Sequence, residues 1–237
     1  MVVLSLIIPT YNEKENISIL IKNLFELFSQ YKISAEIIVV DDNSPDGTSE
    51  MVKKLKNKFS KLHLLSRTAK TGLSSAVLAG FDCAKGEILG VMDADMSHPP
   101  QLIPQLYNAI ITPVGYDKRF PDFVIGSRYV KGGKIVGWPL FRRIVSKGAT
   151  FLSRPFTKAK DPMSGFFLIK KKCIEGKRFN AKGFKICLEL LVKSNWKIVK
   201  EVPITFTDRV KGKSKANFKE YYLYLYNLWN YFIFKFF

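Results

Sequence analysis

The stretch EILGVMDADMSHPP, residues 87–100, decides how the chain is read. Ile88 to Met92 run without a charge, and then Asp93 and Asp95 stand one residue apart before a His-Pro-Pro break. An unbroken apolar run of this length is the pattern of a strand buried on both faces, the habit of parallel sheets. Two acids at its carboxyl end are conspicuous in a chain with 38 Lys+Arg against 20 Asp+Glu and a formal net charge of +18. Asp is a common turn residue, so a turn is the plain explanation. A seat for a cation is the sharper one.

The flanking sequence repeats the strand and separates the copies with helices. VVLSLIIP (2–9) and AEIIVVDD (35–42) are further buried strands, and LHLLS (62–66) is a short one. Ile17, Leu20, Ile21, Leu24, Phe25 and Phe28 recur at helical spacing. Ser49 to Lys58 reads as a helix reached through the turn residues SPDGT, and LSSAVLAGFDCAK as a helix ending at Gly86. PPQLIPQLYNAII restarts a helix with proline in its first turn. This alternation predicts an α/β fold with a mostly parallel, Rossmann-like central sheet and helices on both faces. The second half is less regular. DFVIGSRYV, SGFFLIKKK and IVKEVPITF read as strands, KGGK as a flexible link, and 139–156 and 184–193 as helices. A basic stretch from Arg209 to Lys215 reads as a loop.

Ligands of open parallel sheets bind at the carboxyl ends of the strands. Strand one ends in PTYNE, strand two in DDNSPDG and the fourth in DADMSH, so Glu13, Asp42, Asp93 and Asp95 are expected at one edge. Strand alternation would put Asp93 and Asp95 on one face, where they can share a hard cation completed by water and phosphate oxygens. Without nearby His or Cys sets, Mg²⁺ or Mn²⁺ is favoured over zinc. Such a cation bridges a diphosphate and neutralises a departing phosphate. A dinucleotide-binding dehydrogenase is excluded, because PTYNEKEN after strand one contains no glycine.

Composition sets the outer limits. With 237 residues, 47% of them hydrophobic, the chain can build one large core and is not a disordered basic tail. Three scattered cysteines and two histidines make a structural zinc site improbable and suit a reducing compartment. The first residues lack a basic region and a cleavage site, so they read as a strand rather than a signal peptide. The positive charge points to nucleic acid, an anionic membrane surface or phosphorylated small molecules. No nucleic-acid-binding signature is present, and the basic residues are scattered.

Taken in order, SLIIPTYNEKENI, VVDDNSPDGT, GLSSAVLAGF, VMDADMSHPP, GSRYVKGG and DPMSGFF resemble the inverting family 2 glycosyltransferases, more narrowly the dolichyl-phosphate mannosyltransferases. The likeness runs from about residue 4 to residue 215. It implies a GT-A fold over 1–216, and an enzyme that moves mannose from GDP-mannose to a polyprenyl (dolichyl) phosphate at the cytoplasmic face of a membrane. By the same resemblance Pro9, Tyr11, Glu13, Val40 and Asp42 hold the nucleoside, and Asp93, Ala94 and Asp95 approach the diphosphate and a Mg²⁺ or Mn²⁺ ion. Arg128 sits near the reacting phosphates, Arg142 and Ser146 receive the acceptor phosphate, and Arg209 and Lys215 belong to a loop that closes on the nucleotide. Ser97 stands where some relatives carry a glutamine metal ligand. Its shorter hydroxyl would reach the metal through a water or not at all.

The residues alone leave the substrates open. UDP-glucose with a polyprenyl phosphate, or a sugar-hydroxyl acceptor, fits the same motifs, and a non-catalytic basic membrane- or nucleic-acid-binding protein is the reading from another class. A phosphate acceptor is already largely a dianion at neutral pH, so it needs no strong general base. Asp161 is the best base candidate if one is needed; otherwise it is a turn and cap residue before a strand. In 139–156, Leu140, Phe141, Ile144, Val145, Phe151 and Leu152 form one stripe, with Arg142, Arg143, Ser146, Lys147 and Thr150 opposite. A basic amphipathic helix of this kind can lie in a headgroup layer or pack on the sheet as an ordinary surface helix. The tail, 217–237, is aromatic-rich. From Tyr221 to Phe237 it is near the lower length limit for a span and rich in residues of the water–lipid boundary. It reads as a membrane-interface helix, part of a span, or a helix buried against the domain or a partner. Relatives of the family carry membrane helices after this point or borrow them from small anchoring subunits.

Overall fold

The computed structural model describes residues 2–180, 183, 185–208 and 218–236. Its first half is the expected alternation: β1 (Leu4–Thr10), α1 (Lys14–Gln30), β2 (Ala35–Asp41), α2 (Thr48–Lys56), β3 (Leu62–Ser66), α3 (Leu73–Cys83), β4 (Ile88–Val91) and α4 (Ile103–Ile111). Then follow β5 (Phe123–Ser127), β6 (Lys134–Val136), α5 (Leu140–Leu152), β7 (Phe167–Lys170), α6 (Ile186–Lys193), β8 (Val199–Pro203), β9 (Thr205–Thr207) and α7 (Phe218–Phe236).

The main sheet has the order β3-β2-β1-β4-β7-β5-β8, and β6 pairs with β9 apart from it. Strand β7 runs antiparallel to β4 and β5, while the other pairs of the main sheet are parallel. IVKEVPITF is therefore two strands rather than one: at Ile204 the chain leaves the main sheet to pair with β6. KGGK runs into β6 at Lys134 rather than being a plain link.

Every residue of β1 and β2 is buried, as unbroken apolar runs require. Alternation splits their side chains between two core layers. Leu6, Ile8, Ile37 and Val39 face α1 and α4 residues such as Leu20, Leu24 and Leu106. Ile7, Ile38 and Val40 face Val77, Phe81 and Leu190. On α1 the helical stripe Ile17, Leu20, Ile21, Leu24 and Phe28 is buried, each side chain contributing about 2 kcal/mol relative to exposure. The chain order reverses between β1 and β4, so a crevice opens at the carboxyl ends of these neighbours.

Two helices break the usual rule. On α5 only Thr150 is buried, and Leu140, Phe141, Ile144, Phe151 and Leu152 are exposed. This is the reverse of an ordinary helix packed by its apolar stripe. Helix α7 docks through Tyr224, Asn227 and Tyr231, and leaves Tyr222, Leu225, Trp229, Ile233 and Phe236 exposed. The Tyr224 hydroxyl donates to the Ala149 carbonyl at 2.6 Å, and Lys235 Nζ to Pro155 O at 2.9 Å. Among the described residues no helix is long and apolar enough to cross a membrane.

Candidate active site

The crevice is a cleft of about 820 Å³ at the strand ends. Its lining includes Pro9, Tyr11, Glu13, Asp42, Asp93, Ala94, Asp95 and Ser97, together with Arg128, Arg142 and Ser146. Val40, expected beside the nucleoside, is fully buried in the core on β2 and is not part of the cleft lining. Arg209 and Lys215 lie outside the described residues.

Strand β4 stops at Val91, so Asp93 and Asp95 belong to the turn beyond it. Strand alternation is therefore not what brings them to one site. Met96, at φ 61°, turns the chain through the left-handed region, which a methionine seldom occupies. The turn returns Ser97 to Asp95: the Ser97 N–H donates to Asp95 Oδ1 at 3.0 Å and its hydroxyl to the same oxygen at 2.5 Å. Ser97 thus braces Asp95. Asn12 and Asn43 make the same left-handed step after β1 and β2, with φ of 59° and 61°.

Asp42 is 4% exposed. Its Oδ2 accepts the N–H groups of Thr71 and Gly72 at 3.0 and 2.8 Å, and Arg67 Nη1 lies 3.1 Å from Oδ1. It fixes the loop before α3 to the end of β2. Lys70, on that loop, lies over the Tyr11 ring at 3.7 Å from its centroid. Glu13 accepts from Asn16 Nδ2 at 3.0 Å, at the start of α1.

Asp161, the candidate base, is fully buried and committed to Arg128. Arg128 Nε donates to Oδ2 at 2.7 Å, Nη2 to Oδ1 at 2.6 Å, and the Arg128 backbone N–H to Oδ2 at 2.8 Å. The Asp161 N–H is held in turn by Glu201 Oε1 at 3.0 Å. Burial works against the guanidinium charge, but Asp161 more than offsets it, and the Arg128 pKa is raised above its ordinary value. The fork geometry makes Asp161 the anchor of Arg128.

Arg142 Nη1 donates to Asp208 Oδ1 at 2.8 Å, and the Tyr129 hydroxyl donates to Ser146 Oγ at 2.7 Å. These one-turn neighbours share the cleft-facing side of α5. Several groups of the site carry no obvious mark in the sequence. His98, in sequence the first residue of the His-Pro-Pro break, is 2% exposed, packs its ring against Phe166 and Phe206, and brings Nδ1 to 3.8 Å from Asp93 Oδ2. A Cβ on Gly165 would stand 2.6 Å from Asp93 Oδ2, so this glycine makes room for the carboxylate. Trp138 lies beside both arginines. Only the tight glycine of DPMSGFF and the lone Trp-Pro before the basic helix could have signalled the last two.

The donor set suits a hard cation: Asp93 and Asp95 offer carboxylate oxygens, and Mg²⁺ or Mn²⁺ commonly takes one or two of these plus substrate phosphates. Among the described residues no group of three or more His, Cys, Asp or Glu forms a self-sufficient metal cage.

The chain is 45% identical over 230 residues to a dolichol-phosphate mannosyltransferase of Pyrococcus furiosus, covering 93% of this chain and 61% of the relative's length. It is 42% identical to the dolichol-phosphate mannosyltransferase of Saccharomyces cerevisiae, over 98% of this chain and 88% of the relative. Among solved structures, glucosyl-3-phosphoglycerate synthase from Mycobacterium tuberculosis with Mn²⁺, UDP and phosphoglyceric acid superposes with a TM-score of 0.67 at 18% identity, over 98% of this chain and 77% of that one. Mannosyl-3-phosphoglycerate synthase from Rubrobacter xylanophilus gives 0.65 at 16% identity, over 96% and 73%. Both likenesses concern the fold. Residues 5–176 match the family model described as glycosyl transferase family 2, and the chain, a glycosyltransferase, belongs to that family.

Proposed function

We propose that the chain transfers mannose from GDP-mannose to a polyprenyl phosphate at a membrane surface, with inversion at the sugar carbon. The observation that carries it is one cleft lined by the acids Asp93 and Asp95 and the arginines Arg128 and Arg142, with residues of α5 and α7, two helices that bear exposed apolar side chains, in the same lining. The names of the relatives from Pyrococcus and Saccharomyces support the mannosyl donor and the dolichol-type acceptor.

The reaction breaks the bond between the sugar carbon and the diphosphate oxygen, and the electron pair leaves on the diphosphate. A lone pair of an acceptor phosphate oxygen forms the new bond from the opposite face. Near neutral pH the phosphomonoester is already largely a dianion, with a second pKa of about 6, so no proton need be removed. This fits the burial of Asp161 in its ion pair. A divalent cation, when bound, supplies positive charge to the diphosphate, and Asp93 and Asp95 would hold it. Arg128, rigid in its fork, and Arg142, on α5, orient the incoming phosphate. Arg209 and Lys215 would close over the nucleotide. The exposed apolar residues of α5 and α7 would sink into the headgroup layer, with Arg143 and Lys147 meeting anionic lipid. On this reading the chain works at the cytoplasmic face of a membrane, with residues 1–216 catalytic, 217–237 interfacial, and small anchoring subunits as partners.

A turnover panel tests the reading: GDP-mannose, UDP-glucose and UDP-GlcNAc, each with a short-chain polyprenyl phosphate, with and without Mn²⁺. GDP-mannose with Mn²⁺ should dominate, and preference for a UDP-sugar overturns it. Asp95→Asn should lower turnover at least about a hundredfold while the fold persists.

A further inference from the structure

Trp138 is 9% exposed and lines the cleft. Its ring carries both arginines: the Arg142 guanidinium carbon lies 4.1 Å from the ring centroid and that of Arg128 5.3 Å. Phe206 meets the indole edge-on at 5.3 Å and lies 5.5 Å from the Arg128 guanidinium carbon, closing the cage. The residue is placed deliberately. Gly137 before it takes φ 84°, and a Cβ there would approach Asp208, the Arg142 partner, to 3.1 Å. Pro139 after it caps α5.

Within this setting the indole Nε1–H is buried and finds no acceptor among the described residues. A buried donor left unmade destabilises the protein. Two guanidiniums are gathered at one ring, so an anion between them is attracted to both. Each already has one acid, Asp161 or Asp208, and each keeps further N–H donors beyond those bonds. The same anion that answers the arginines can answer the indole.

We propose that Trp138 is a binding residue for the acceptor: its Nε1–H donates to an oxygen of the incoming phosphate, while its face holds Arg128 and Arg142 on either side of that anion. This rests on the phosphate-acceptor reading above.

The test uses the ¹⁵N-labelled full chain, whose three tryptophans give separate indole signals. Trp138→Phe assigns the Trp138 signal, and Trp196, whose Nε1 donates to Leu191 O at 2.8 Å, is an internal control. A short-chain polyprenyl phosphate should move the Trp138 signal downfield and leave Trp196 in place. An unmoved Trp138 signal at saturating lipid phosphate, or one moved equally by GDP alone, overturns the proposal. In turnover, Trp138→Phe keeps the ring and loses the donor. It should raise the KM for polyprenyl phosphate about tenfold with the KM for GDP-mannose within about twofold. Trp138→Leu should lower kcat as well, because the arginines lose their support. Equal acceptor KM in a Trp138→Phe chain with unchanged melting overturns the proposal. Absence of mannosyl transfer by the unaltered chain would instead overturn the functional reading, and the indole titration still decides Trp138 in that case.

Discussion

Asp161 shows how one residue changes meaning in three dimensions. By sequence it is a candidate base or a turn and cap residue before a strand; in the fold it has no exposure, and both its oxygens are held by Arg128. Asp161→Asn should therefore cost about 3–5 kcal/mol of stability in denaturant titration, because it leaves a buried guanidinium unpaired. A base would predict the opposite, an intact fold with a changed pH–rate profile. Gly165→Ala acts on Asp93. The added Cβ drives against Asp93 Oδ2, so turnover should fall by up to about a hundredfold with little change in melting temperature. The cysteines separate by burial. Burial pushes the Cys173 thiol up to about 11 and Cys187 well above its ordinary value, whereas Cys83 is exposed. A thiol reagent at neutral pH should modify Cys83 promptly and the other two only on unfolding.

At the scale of elements, the turns after β1, β2 and β4 do the positioning. Asp46 shows it for α2. Burial raises its pKa, but the Thr48 hydroxyl and the N–H groups of Lys14 and Thr48 outweigh this, and the net shift is downward from 3.8. Its carboxylate accepts the Thr48 N–H at 2.9 Å and the Lys14 N–H at 3.1 Å, tying the start of α1 to that of α2. A lowered folded pKa means that this contribution is complete above the ordinary carboxylate value and lost as pH falls through the folded one. Asp46→Ala should cost about 1 kcal/mol at neutral pH, and the difference from the unaltered chain should shrink below about pH 4 in pH-dependent denaturation. Helix α5 illustrates a different constraint. Its polar residues Arg142 and Ser146 line the cleft, which leaves Phe141 and Ile144 outside.

Across the whole molecule, α5 and α7 both contribute to the cleft lining and both carry exposed apolar side chains. Phe141 and Phe151 are each 74% exposed, and Trp229 is 63% exposed. Replacing Phe141 and Trp229 together by Ser should weaken sedimentation with anionic vesicles by about tenfold per residue without lowering the melting temperature. Raised salt should weaken it further through Arg143 and Lys147. Unchanged vesicle binding would remove these helices from the membrane contact.

What the sequence determined by itself is the alternation of elements and the edge at which the acids collect. Both follow from local pattern: buried strands are apolar throughout, helices repeat at their own period, and turn residues punctuate them. Glu13, Asp42, Asp93 and Asp95 were legible as a group for that reason. The tertiary structure alone decided which polar groups answer one another. The antiparallel β7 between β4 and β5, the bond from Ser97 to Asp95, the fork from Arg128 to Asp161, and Trp138 beneath two arginines join segments or orient side chains through packing. Periodicity reports which face of an element is apolar, whereas a buried charge or N–H is answered by whatever distant residue the packed fold brings within reach.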